Sequence, residues 1–157
     1  MLFRSNEVFI VRNHVMAISG QAMVKRDGQP MRDKNERSSQ RFDALGHCML
    51  SDRMIDRSPA KQDTSSVEYA QDARGFVIEE RRSDINGRFA MRYMRDSSGR
   101  AMRATYVRIA PDGETVISDE HFTYATINDT ASRMIWLNDL GLPYRERIFH
   151  TDRKSVV

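Results

Sequence analysis

A four-residue spacing, Asp-x-x-Gly, constrains this chain more than any other feature. It occurs at Asp43/Gly46, Asp72/Gly75, Asp84/Gly87 and Asp96/Gly99, and Asn138/Gly141 repeats it with the nearest substitute for Asp. Random placement of 14 Asp and 8 Gly among 157 positions gives fewer than one such pair. The chemistry is specific: Asp at the first position of a tight turn accepts backbone N–H groups, and Gly at the fourth takes the positive φ and the bulge that follow. Asp72, Asp84 and Asp96 are twelve residues apart, the length of one strand of about eight residues plus a four-residue turn. Strands joined this tightly are antiparallel, because a parallel crossover needs a dozen or more residues.

Between the turns lie runs of strand-forming residues: 67–71, 76–82, 88–95, 101–110, 115–125, 133–137 and 144–150. Regular strands bounded by turn signals predict a mainly β fold, an antiparallel meander of six or seven strands over 66–150, as a curved open sheet or a partly closed barrel. Residues 1–65 read as an irregular half of the same single domain, contributing two or three strands. Within that half, Lys25–Arg41 and Ser51–Ser66 are long polar stretches without periodicity and read as mobile loops or binding segments. In Phe89-Ala-Met91-Arg-Tyr93 the odd positions are apolar while Arg88 and Arg92 take the even ones, so one face should be apolar and the other Arg-rich and wet.

The turns resemble those of the YD-repeat (Rhs-repeat) family, in which an aromatic residue and a nearby Asp precede two spacers, Gly and often Arg. The copies that carry the resemblance are Phe42-Asp43-Ala44-Leu45-Gly46-His47 and Tyr93-Met-Arg-Asp96-Ser-Ser-Gly99-Arg100. Two further copies are Tyr69-Ala-Gln-Asp72-Ala-Arg-Gly75 and Ile135-Trp-Leu-Asn138-Asp-Leu-Gly141. The likeness touches residues 42 to 141, at the turns only. It implies a β-sheet scaffold that binds protein, with no catalytic residues to carry over. A meander reusing Asp-x-x-Gly turns for local reasons has the same spacing, so a turn motif alone does not fix function.

Charge narrows the partner. Of 25 basic residues 21 are Arg, whose planar fork suits carboxylate or phosphate, and the net charge is +3. The 22 acidic residues are interleaved with them without a block of five like charges, which describes a salt-bridged surface better than a dedicated nucleic-acid face. Glu79-Glu80-Arg81-Arg82 across the Asp84–Gly87 turn from Arg88, Arg92 and Arg95 reads as cross-strand ion pairing. No apolar run approaches the length of a membrane helix. The run Val8–Val11 ends at Arg12, too early for a secretory core. The expected compartment is therefore the cytoplasm as synthesised, export without a signal staying open.

Catalytic spacing is not found: the glycines form no phosphate loop, and no nucleophile elbow or His-Glu-x-x-His occurs. Nothing calls for a cofactor or metal. One cysteine, Cys48, excludes an internal disulfide, and its plain reading is a small buried side chain rather than a nucleophile served by His47. Asp119-Glu120-His121 reads as the wet face of an edge strand. Trp136 reads as core, and the ten methionines as filling of an irregular core or as an adaptable partner surface. The leading function is a non-enzymatic module binding a partner protein through Arg92, Arg95, Arg103, Tyr106 and Arg108. The alternatives are a lipid-like ligand carrier closed into a calyx, and an RNA or single-strand binder using Arg and Tyr on the open sheet.

Overall fold

The computed structural model describes residues 7–58, 61–138 and 140–150. After one helix, α1 (Glu7–Arg12), the chain forms ten strands: β1 (Ala17–Val24), β2 (Arg32–Phe42), β3 (Cys48–Ser58), β4 (Lys61–Gln71), β5 (Val77–Asp84), β6 (Gly87–Arg95), β7 (Ala101–Ala110), β8 (Gly113–Asn128), β9 (Ala131–Leu137) and β10 (Pro143–His150). They lie in one sheet in chain order, β1 to β10, an antiparallel meander that is not closed. By contacts the chain divides into two compact units, Met1–Ala90 and Met91–Val157.

The turns do what their sequence asks. At Asp43 four bonds close the turn: the Oδ1 atom accepts the N–H groups of Leu45 and His47, both at 2.9 Å, Gly46 N–H donates to the Asp43 carbonyl at 3.1 Å, and Asp43 N–H donates to the His47 carbonyl at 3.0 Å, with Gly46 at φ +83°. The same bonds close Asp72–Phe76, Asp96–Arg100 and Asn138–Leu142. Asp84 is different. The Asn86 N–H donates to its carboxylate at 2.8 Å, the bond the other turns receive from their third residue, and Gly87 takes φ +125° after a two-residue turn. A bulge follows three of the four-bond turns at a fixed distance. The register steps from Arg41↔Leu50 to Phe42↔Cys48, from Ala70↔Glu79 to Gln71↔Val77, and from Trp136↔Arg145 to Leu137↔Pro143. Met49, Ile78 and Tyr144 are thereby left without a register partner, each six residues past the Asp or Asn.

In the first unit, α1 is too short to be stable by itself. Glu7 in its first turn and Arg12 in its last suit the helix dipole, and Ile10 is buried. The helix abuts the first Asp turn: a Cβ on Gly46 would lie 2.8 Å from Val11 Cγ2 and 3.0 Å from the Glu7 carbonyl oxygen. The second Asp turn packs equally closely on the first, since a Cβ on Gly75 would meet the His47 ring at 2.7 Å.

The polar stretches read as loops are strands. Residues 32–42 form β2 and 51–58 and 61–66 belong to β3 and β4, in continuous antiparallel register. The hydrophobic alternation that marks a half-buried strand is missing because neither face here covers a core. Cross-strand polar contacts take its place, with Arg53 donating to Glu36 at 3.0 Å and Ser39 to Asp52 at 3.4 Å. From the end of β4 onward the strands fall where the turn spacing predicts, within a few residues at each end, whereas β4 itself begins six residues before the run 67–71.

The second unit holds the main hydrophobic cluster, Ala104, Phe122 and Trp136, with Met91, Tyr93, Ala101, Tyr124 and Met134 packed against it. Phe122 and Trp136, opposite one another in register, meet edge to face at 5.7 Å and 89°. Trp136 is the core residue its sequence context indicates.

Candidate interaction surface

In the second unit arginine side chains cover the aromatic residues of the sheet. The guanidinium of Arg145 lies 5.1 Å from the Trp136 ring centroid and that of Arg147 5.8 Å, both from strand β10. Arg100 covers Tyr124 at 4.9 Å and Arg95 covers Tyr93 at 5.1 Å. Each arginine lays its aliphatic stem on apolar surface and keeps its charge in water over an aromatic face. The expectation of one apolar face and one Arg-rich face is therefore corrected for this unit: arginines stand on both, because the apolar face is covered by them.

The five residues singled out by sequence do not share a face. Tyr106 and Arg108 alternate on β7 with Ala104, and Arg95 covers Tyr93, so these three lie on the side of the aromatic cluster. Arg92 and Arg103 lie on the other. Arg92 holds Glu114 through two parallel bonds of 2.6 and 2.7 Å. Arg103 holds Asp119 in the same bidentate manner, one bond being 2.7 Å, and Thr105 adds a third bond to that carboxylate at 3.1 Å. Arg103, then Thr105, keeps the Asp119 carboxyl below the usual range against some desolvation. Near the Asp84–Gly87 turn, Arg81 pairs with Glu79 and Arg82 with Asp84 along β5. Arg108 is exposed and makes no ion pair with a described residue.

What the sequence reading missed is the set of side chains on the bulges. Besides Met49, Ile78 and Tyr144, the register skips Ile117 between Ser118 and Val116, and Ile127 between Thr126 and Asn128. All five are large and exposed, from 38% for Met49 to 54% for Tyr144. A bulge bends its strand and re-aims its side chain. A signal was present in the sequence: the sixth residue after each four-bond turn's Asp or Asn is Met49, Ile78, Met102 and Tyr144, and Met102 is also exposed. Around the β7–β8 bulge, Ile117 is skipped between the pairs Tyr106↔Ser118 and Val107↔Val116, so Val116 (60% exposed) shares the face of Val107 and not that of Tyr106 and Arg108.

The remaining chemical candidates are accounted for by local contacts. His47 Nδ1 lies 3.0 Å from Asp43 Oδ2, not at Cys48. Desolvation would raise the Asp43 pKa, but the His47 N–H, the His47 ring and the Leu45 N–H together pull it below the ordinary value. Cys48 is half-buried, its Sγ directed at the Leu50 carbonyl, and desolvation raises its pKa away from thiolate. His121 stands 3.9 Å from Asp119, on β8, an interior strand rather than the edge expected. Among the described residues no three His, Cys, Asp or Glu side chains converge to hold a metal ion, and no helix is long and apolar enough to cross a membrane.

No family model matches the chain, and no match is found among curated proteins or solved structures.

Proposed function

We propose that the chain is a non-enzymatic interaction module that binds a partner protein through its sheet, centred on Tyr106 and Arg108 beside the bulge residue Ile117. One observation carries this reading: among the described residues eight hydrophobic side chains are buried while 21 large ones are exposed. Scattered exposed apolar residues are ordinary, whereas an excess of this size, five of its members re-aimed by bulges, suits a surface that becomes covered. The partner face that fits is apolar with carboxylates, which Arg108, in no ion pair with a described residue, would meet. The YD-repeat resemblance belongs to the same proposal and supports a scaffold role, the four-bond turns being the shared element. An open sheet supports this reading over a ligand-carrying calyx, which needs closure.

The test is native mass spectrometry on the protein recovered gently from its own host's lysate. Added mass of kilodaltons that survives nuclease is expected, and Arg108→Glu with Ile117→Asp should lose it, since a central anchor contributes about 2 kcal/mol or more. Nuclease-sensitive mass would replace this reading by RNA binding, and a few hundred daltons of added mass by a ligand carrier.

A further inference from the structure

The sheet ends in two edges of unequal character. At one end, β10 is blunted by the usual devices: Pro143 at its start, and Arg145, Glu146 and Arg147 along it. At the other, β1 reads Ala-Ile-Ser-Gly-Gln-Ala-Met-Val, eight residues with neither a charge nor a proline. Strand β2 pairs one side of β1, and no described strand pairs the other. Nor does any turn or loop hydrogen bond between described backbone groups involve a β1 residue. An uncharged edge strand of this length offers a row of backbone donors and acceptors to a second strand.

We propose that β1 pairs with β1 of a second copy of this chain, antiparallel about a two-fold axis at Gly20, making an isologous dimer with one continuous sheet. The occupant follows from charge. A two-fold axis sets a strand against itself, so any charge near the centre meets its own kind, which is what normally forbids such pairing. Strand β1 has none to oppose. About Gly20, Ser19 faces Gln21 and Ile18 faces Ala22 of the partner copy, while Lys25 and Arg26 fall opposite Val15 and His14 rather than each other. Ile18 (43% exposed) and Ala22 would share a face across the new ladder, as like faces must when the axis is normal to the sheet. Head-to-tail growth, β10 on β1, would instead lay Arg145, Glu146 and Arg147 along an uncharged strand.

Sedimentation velocity on the full chain, from low to high micromolar concentration, tests this. A concentration-dependent dimer is expected. Ile18→Lys with Ala22→Lys should shift the protein to monomer, because each introduced Lys then meets another across the axis. An Ile18→Glu with Ala22→Glu variant should be monomeric alone, and mixing the two variants should restore a dimer of one each. That recovery separates broken pairing from misfolding. A monomer throughout the range for the unaltered chain, or a dimer that survives the double-Lys change, overturns the proposal. So does assembly beyond the dimer that Ile148→Lys on β10 abolishes, which would assign the contact to head-to-tail growth.

Discussion

Two glycines separate conformational strain from steric contact at the residue scale. Gly28 and Gly46 both sit near φ +80°, at +72° and +83°, but a Cβ on Gly28 meets nothing within 4 Å. Gly28→Ala should therefore cost only the left-handed backbone penalty, about 1 kcal/mol. Gly46→Ala adds a clash with the backbone of α1 and should cost about 2–3 kcal/mol, detaching the helix from the turn. Urea denaturation of the two variants checks the difference, and equal losses would mean that α1 gives way freely. The same turns set an acid limit. The hydrogen bond from the Ser98 side chain, then Arg100 and its backbone N–H, hold the Asp96 carboxyl at about 2. Desolvation pushes Asp72 up, but Arg74 and the Phe76 N–H bring it below its ordinary value. A carboxyl with a depressed folded pKa stabilises the fold above its unfolded value, about 4, and that contribution vanishes as pH falls through the folded value. Stability should therefore decline between about pH 4 and pH 2. Asp96→Asn should keep the turn, because Asn138 makes the same backbone bonds with an amide, while flattening part of that decline. Urea midpoints at pH 7 and pH 3 measure it, and an unaltered slope in the variant would remove Asp96 from the account.

Arginine roofing is a property of elements: β10 supplies Arg145 and Arg147, and β9 the ring beneath them. Trp136 is the only tryptophan and is 8% exposed, so its emission reports the roof directly. Arg145→Ala with Arg147→Ala should shift that emission to the red and destabilise the sheet through lost stem packing as much as lost charge. An unchanged spectrum would show that Phe122 and Met134 shield the ring without help. The element scale also shows what the sequence could and could not tell. Strand ends from the C-terminal end of β4 onward were legible because Asp and Gly hold the turns by bonds local to four or five residues. Strands β2 and β3 were not, since Arg, Ser and Asp on two wet faces leave no period of two to detect. The split of Arg92 and Arg103 from Arg95, Tyr106 and Arg108 follows from simple alternation and was legible. The bond from Arg92 to Glu114 was not, because it joins β6 to β8 across an intervening strand. The bulge residues lay between these cases: their offset from the turn is periodic, but only register shows that they are skipped.

Across the whole molecule, the strand order equals the chain order, so the ladder contacts are made between strands that follow one another. Low sequence separation makes nucleation cheap anywhere along the meander, and cooperativity then depends on what neighbouring strands share. That sharing is uneven. The aromatic cluster of Ala104, Phe122 and Trp136 belongs to the second unit, whereas the first buries Ile10, Phe42 and Ala90 and relies on polar ladders and stacked turns. Stability summed from nearest neighbours should then be graded, with β7–β9 opening last. Trp136 fluorescence follows the second unit alone, while far-ultraviolet circular dichroism follows every strand. In a urea titration the circular dichroism transition should begin at lower denaturant than the fluorescence transition and span a wider range. Coincident curves would mean that the two units unfold as one cooperative body, and that the polar ladders of β1–β5 couple to the aromatic cluster as strongly as a shared core would.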